Sequence, residues 1–77
     1  MNMQFSMDQN RTSYKVGGME CSHCKKSVET NLLKIDGVEE VEADIISETV
    51  MVRGKAIDMA VVKETIEKLG YSFGGKV

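Results

Sequence analysis

The chain has 77 residues, a net charge of −2 and no proline. A chain this short buries only about 60% of its unfolded surface, which favours one small domain without a large active-site cleft. Ten Lys and Arg against twelve Asp and Glu leave no basic surface for nucleic acid or anionic lipid. No apolar run is long enough to span a bilayer, and Met1 to Asn10 lacks the features of a signal peptide. We therefore expect a soluble, cytoplasmic protein with no membrane insertion.

The N-terminal segment, residues 1–11, is polar and has no period, which predicts a flexible tail. It contains Met1, Met3 and Met7. Thioether sulfur suits Cu(I), so an accessory metal site is one interpretation of these residues, and an unstructured terminus without function is the other.

The next segments predict a strand and then a helix. Tyr14 and Val16 share one face of a β-prone stretch from Thr12 to Val16, which indicates the first strand. An apolar stripe follows at helical spacing and predicts an amphipathic helix from about Ser22 to about Ile35. The residues of this stripe are Val28, Leu32 and Ile35.

Two further strands are predicted to form a hairpin. Apolar Val41, Ala43 and Ile45 alternate with acidic residues, a pattern typical of a strand that is covered on one face. After a tight connection, the stretch from Thr49 to Arg53 places two valines toward the core.

A second helix and a short final strand complete the pattern. Asp58 is a candidate cap for this helix, and Gly70 is a candidate stop. Tyr71 to Phe73 then begins the last strand. The apolar stripe of the helix consists of Met59, Val62, Ile66 and Leu69.

The order β-α-β-β-α-β predicts an α+β, ferredoxin-like fold over residues 12–77. In this fold, two helices cover one face of a four-stranded antiparallel sheet. We expect the apolar methionine and valine positions, including Met19, to pack in the core.

The segment from Gly17 to Cys24 contains both cysteines and the single histidine. Thiols spaced i and i+3 can hold one metal ion or form a redox disulfide, and glycines before them allow a sharp turn. A structural disulfide here would close only a tiny loop, so a functional pair is the better interpretation. A thiol–disulfide oxidoreductase is one alternative, although the chain lacks the proline of thioredoxin-like sites.

The run Gly18-Met19-Glu20-Cys21-Ser22-His23-Cys24 resembles the GMxCxxC motif of heavy-metal-associated domains. The resemblance covers roughly residues 12–76 and includes the element order and the closing Gly70-Tyr71. It implies a domain that is not an enzyme and that binds a soft ion through Cys21 and Cys24, as in free bacterial copper chaperones, modules of metal-pumping P-type ATPases and a periplasmic mercury-binding relative.

The chemistry of the two cysteines favours Cu(I). Cys24 is expected in the first helical turn, where free amides and the helix dipole stabilise a thiolate, and Cys21 lies just before it. Two soft ligands suit Cu(I), whereas a structural zinc site takes four ligands. We expect handover by stepwise exchange of thiolates with a partner.

Four neighbours are candidate auxiliary residues. His23 either tunes the site from the solvent side or serves as an occasional ligand. The resemblance places Tyr71 beside the metal, and packing is its alternative role. Met19 looks like a third soft ligand, but packing below the loop is its commoner use. Glu20 departs from the copper members and resembles the acid of zinc- and cadmium-exporting modules, so Zn(II) or Cd(II) stay open beside Cu(I). Hg(II) also stays open, because the resemblance includes the mercury-binding relative.

The expected partner is a metal-transporting P-type ATPase or another recipient protein, and a bridging metal could also join two copies into a homodimer. Lys25 and Lys26 lie at the edge of the predicted site. They either steer an acidic docking patch or form a solvated helix face. A chain that begins at Met1 favours a free carrier over an excised module.

Overall fold

The computed structural model describes residues 11–77, and its elements follow the predicted order. The predicted tail, with Met1, Met3 and Met7, lies outside the described residues except for Arg11, which begins the first strand. The elements are β1 (Arg11–Gly17), α1 (Ser22–Leu32), β2 (Val38–Asp44), β3 (Thr49–Gly54), α2 (Met59–Lys68) and β4 (Ser72–Lys76).

The four strands form one antiparallel sheet in the order β2-β3-β1-β4. Helix α1 packs against β2, α2 packs against β4, and the two helices contact each other. The predicted ferredoxin-like plan, with two helices on a four-stranded sheet, is therefore confirmed. No helix within residues 11–77 combines the length and the apolar character that crossing a bilayer requires.

The core lies between the sheet and the helices, and every buried side chain in it is apolar or aromatic. Alternation along the strands turns one face inward, and the rings of Tyr14 and Phe73 pack with their centroids 5.6 Å apart. The predicted core positions Met19, Val28 and Val62 are confirmed as buried. The buried residues are Tyr14, Val16, Met19, Val28, Leu32, Ala43, Val50, Val52, Val62 and Ile66.

The prediction that α1 continues to about Ile35 is wrong. The helix ends at Leu32, because the amide of Lys34 donates to the carbonyl of Asn31 and the amide of Ile35 donates to that of Leu32. These i to i+3 bonds tighten the chain into turns. Ile35 nevertheless packs against the core from the turn, which explains why the sequence pattern included it.

The strand limits also differ from the prediction. β2 spans Val38–Asp44 rather than ending at Ile45, and a bulge between Val38 and Glu40 hides its start, because an extra residue breaks the alternation that marks a strand. β4 begins after Tyr71 and continues to Lys76, through two glycines that carry no side-chain pattern.

The second helix is capped as predicted, but its apolar stripe begins one turn late. The Asp58 carboxylate accepts a hydrogen bond from the amide of Ala60 at 2.9 Å, and Gly70 takes a left-handed conformation with φ 95° after the helix. Met59, predicted in the core, is 48% exposed. As the first helical residue, it has no preceding turn to pack with, and burial starts at Val62.

Three connections share one end of the sheet, which we call the loop end. Lys15 at the end of β1 pairs with Thr49 at the start of β3, and the amide of Val16 donates to the carbonyl of Glu48 at 2.9 Å. Gly17 pairs with Ser72 at the start of β4. The β1–α1 loop, the β2–β3 turn and the α2–β4 loop therefore lie at the loop end, and the remaining connections lie at the opposite end.

Glu29 of α1 ties the helix to the edge of the sheet. Its Oε2 accepts a hydrogen bond of 2.8 Å from the amide of Ala43 in β2. Because β2 is an edge strand, its outward amides have no strand partner, and this carboxylate satisfies one of them beside a buried residue.

We predict that Glu29→Ala lowers the free energy of unfolding by about 1–3 kcal/mol, because the partly buried amide of Ala43 loses a charged acceptor. Denaturant unfolding of the metal-free protein measures this. Glu29→Gln, which keeps an acceptor oxygen, should recover most of the loss. Glu64→Ala, on the exposed side of α2, is the matched control and should change stability by less than about 0.5 kcal/mol. Equal effects of the two alanine variants would contradict the assignment.

Candidate metal centre

The loop that holds the cysteines starts at Gly18, which contacts the last connection of the chain. Gly18 has φ 99°, a conformation that glycine adopts without the strain of a side chain. A Cβ built at this position would lie 3.3 Å from Cδ1 of Tyr71. The absence of a side chain thus lets the Tyr71 ring approach the backbone just before the CxxC segment.

Met19 anchors the loop from the core side. It is 2% exposed, although both its neighbours Gly18 and Glu20 are exposed. The packing role predicted for Met19 is confirmed by this burial, while a role as a metal ligand stays a prediction. The side chain of Met19 thus joins the loop to the hydrophobic core.

The two cysteines meet at the N-terminus of α1. Cys21 occupies the N-cap position with an extended backbone, φ −149° and ψ 168°, and its side chain makes no capping bond. Cys24 is the third residue of the helix, in the first turn as predicted. Both thiols are free, and their Sγ atoms lie 3.2 Å apart at hydrogen-bond distance. The exposed Sγ of Cys21 and the half-buried Sγ of Cys24 can therefore act on one ion.

The surroundings of Cys24 favour its thiolate. A hydrogen bond from the Tyr71 hydroxyl is the largest cause, and with smaller contributions from Cys21 and from the backbone of Glu20 it lowers the pKa of Cys24 from 9.0 to about 7. The same hydrogen bond raises the pKa of Tyr71, because the phenol is held as a donor. The lowered pKa favours the thiolate of Cys24 at neutral pH more than in an ordinary cysteine.

The other predicted neighbours are not gathered around the sulfurs. Glu20 and His23 are exposed, and within residues 11–77 no group of three or more His, Cys, Asp or Glu side chains is placed to hold a metal ion. The structure thus brings together Cys21, Cys24 and Tyr71. Roles for Glu20 and His23 as ligands stay predictions.

Sequence reasoning did not find the packing of Tyr71 on Gly18. The two residues are far apart in the chain, and no local pattern links them. The pairing of Gly17 with Ser72 in neighbouring strands is what brings their loops together.

The sequence profile of the heavy-metal-associated domain matches residues 13–72, which include the whole CxxC loop and Tyr71. The chain belongs to the heavy-metal-associated domain family. This membership agrees with the βαββαβ sheet, the buried Met19 and the two thiols at the start of α1.

Two relatives show the range of proteins that contain this domain. The chain is 44% identical over 59 residues to a probable copper-exporting P-type ATPase of Archaeoglobus fulgidus, a match that covers 74% of the chain and 7% of the ATPase. It is 37% identical over 59 residues to the copper chaperone CopZ of Staphylococcus epidermidis, covering 74% of the chain and 87% of CopZ. The domain thus spans most of the small relative and a small part of the large one.

Solved structures give the same picture. A CopZ metallochaperone superposes with a TM-score of 0.80 and 32% identity, covering 83% of the chain and 98% of CopZ. The Zn(II) form of the N-terminal domain of ZntA superposes with a TM-score of 0.78 and 32% identity, covering 84% of the chain and 89% of that domain. A metallochaperone and a Zn(II)-bound domain are thus both similar to the chain in fold and sequence.

We predict that Tyr71→Phe raises the pKa of Cys24 from about 7 toward 9.0, because the thiolate loses its main hydrogen-bond donor. The ultraviolet absorbance of the thiolate, followed against pH in the metal-free protein, measures the shift. Since folding lowers this pKa, the thiolate contributes to stability above pH 9 and the contribution is lost as the pH falls through 7.

The matched control for this titration is Tyr14→Phe, which removes the hydroxyl of the other tyrosine, a core residue of β1. It should leave the thiolate titration unchanged. A Tyr71→Phe curve that overlays the parent curve would show that the phenol does not stabilise the sulfur.

Proposed function

We propose that the chain is a carrier of a soft metal ion, not an enzyme, that binds Cu(I) through Cys21 and Cys24 in the cytoplasm. The observation that carries the proposal is the 3.2 Å contact between an exposed and a half-buried sulfur at a helix N-terminus. Two thiolates satisfy the low coordination number of Cu(I) and its preference for soft donors.

The electrostatics of the pair suit uptake of the ion. Metal binding releases protons from thiols, and the lowered pKa of Cys24 reduces the free-energy cost of this release. The helix N-terminus adds free amides and a favourable dipole at the same sulfur. The chain therefore presents a thiolate before the ion arrives.

Exposure of the site suits release of the ion. Cys21 is open to solvent, so the thiolate of a partner can approach the bound ion from that side. In the proposed handover, the partner's thiolate bonds to Cu(I) before one Cu–S bond to the chain breaks, and a second exchange completes the transfer. Copper keeps its oxidation state, and each thiolate of the chain that leaves is replaced by one from the partner.

The proposed recipient is a copper-transporting P-type ATPase or another protein with such a thiolate pair. The similarity of the chain to a segment of a copper-exporting ATPase and to nearly the whole of a copper chaperone supports this assignment. The exposed Lys26 and the half-buried Lys25 follow the site on α1, where their charge can steer an acidic patch on the partner.

Binding of Zn(II) or Cd(II) is the second candidate function, favoured by the similarity to the zinc-bound ZntA domain. It would require a third ligand such as Glu20, because a carboxylate improves the fit to a divalent ion. Glu20 is exposed, and residues 11–77 contain no group of three suitable ligands. We therefore place Cu(I) first.

We predict that Cys21→Ser and Cys24→Ser each abolish tight Cu(I) binding, because a hydroxyl is a poor ligand for a soft ion. Competition titration against a Cu(I) chelator in the absence of air measures the affinity. Ser22→Ala, which lies between the cysteines and keeps both sulfurs, is the control and should bind like the parent. Unchanged affinity in either serine variant would refute the site.

We predict that Glu20→Ala leaves the Cu(I) affinity unchanged and alters Zn(II) affinity little, since Glu20 lies outside any group of three ligands within residues 11–77. Parallel titrations of parent and variant with the two ions test this. A large loss of Zn(II) affinity alone would favour the divalent candidate, with Glu20 as its third ligand.

A further inference from the structure

An isoleucine is exposed at the loop end of the sheet, in the turn between β2 and β3. Ile46 is 94% exposed, more than any other large apolar residue among those that the structure describes. It belongs to the same end as the CxxC loop, because β3 starts beside the end of β1.

The turn holds Ile46 in a defined position. The Asp44 carboxylate accepts hydrogen bonds from the amides of Ile46 at 2.9 Å and Ser47 at 3.4 Å, and the hydroxyls of Ser47 and Thr49 lie 2.7 Å apart. Glu48 takes a left-handed φ of 57°, and its carbonyl accepts the 2.9 Å bond from Val16. The backbone that carries Ile46 is therefore ordered before a partner covers it, which lowers the entropy cost of ordering the loop on binding.

We propose that Ile46 is the apolar anchor with which the chain docks on its metal recipient, a second heavy-metal-associated domain that presents its own pair of thiolates. The inference rests on the proposed function, because direct exchange of thiolates brings the recipient against the loop end. A partner that reaches the exposed Cys21 then lies over the neighbouring turn, where burial of Ile46 is favourable.

The charges beside Ile46 are largely satisfied within the chain. Nζ of Lys15 lies 3.7 Å from Oε1 of Glu48 and donates to the carbonyl of Ser47 at 3.3 Å. Asp44 is occupied with the turn amides. Ile46 therefore offers an apolar contact surface whose neighbouring charges are already paired. Hydrophobic association of a partner with Ile46 should not be screened by salt.

The test compares Ile46→Ser with the parent in copper transfer to a whole relative, metal-free CopZ of Staphylococcus epidermidis labelled for NMR. We expect copper transfer from the variant to be about tenfold slower, because part of the apolar area buried by Ile46 is lost. The Cu(I) affinity of the variant should be unchanged. The deficit should persist at high salt. Ile46→Leu, which keeps an apolar side chain, should restore the rate.

Two exposed apolar residues at the opposite end serve as matched controls. Leu33→Ser follows the end of α1 and Val77→Ser follows β4, where the parent residues are 47% and 74% exposed. Both should transfer copper like the parent. Equal slowing of all three serine variants, or none in Ile46→Ser, would overturn the role of Ile46.

Further outcomes separate this inference from the proposed function. If the copper-loaded parent fails to transfer at all, thiolate exchange itself is refuted, and the docking role falls with it. If sedimentation shows a metal-free homodimer that Ile46→Ser dissolves, the turn contacts a second copy of the chain, and the recipient assignment is wrong.

Discussion

The hydrogen bond from the Tyr71 hydroxyl to the sulfur of Cys24 depends on the antiparallel pairing of β1 with β4. That pairing sets Gly17 opposite Ser72, so the loop after β1 and the loop before β4 leave the sheet side by side. Gly18 then leaves room for the Tyr71 ring, since a Cβ at this position would lie 3.3 Å from Cδ1 of Tyr71. Without this arrangement, Cys24 would lose the main cause of its lowered pKa.

The site has a buried residue on the core side and an exposed cysteine on the solvent side. Met19 is buried below the loop, and α1 fixes Cys24 through its first turn. Cys21, at the N-cap, remains exposed and makes no capping bond. Under the proposed function, the exposed sulfur of Cys21 is the one that a partner can reach, and the sulfur of Cys24 is the more enclosed of the two.

Local patterns were sufficient to predict most of the fold. Alternation revealed the inward faces of the strands, and helical spacing located Val28 and Val62 in the core. The position of Cys24 in the first helical turn and the cap at Asp58 also followed from neighbouring residues. These features depend on interactions between residues that are close in the chain, so the pattern of a single sequence is enough to predict them.

The errors arose where packing or turns decide the structure. Ile35 continues the apolar stripe of α1, yet hydrogen bonds of the following turn end the helix at Leu32. Met59 fits the stripe of α2, yet its place at the helix start leaves it exposed. The contact of Tyr71 with Gly18 depends on strand pairing, and no local pattern could place Tyr71 against the loop backbone.

The two thiols lie outside the hydrophobic core in this fold. The ten buried side chains of residues 11–77 form the core, and Met19 is the one among them that belongs to the CxxC loop. The bond from Glu29 to Ala43 fixes α1 on the far edge strand, away from the strand that pairs beside Tyr71. Substitution of the exposed Cys21 removes no core contact, so its effect on metal binding can be measured in a folded protein. Because the thiols lie outside the core, a domain with a small core can carry them without placing polar groups among its buried side chains. Among the described residues, no buried side-chain nitrogen or oxygen lacks a hydrogen-bond partner.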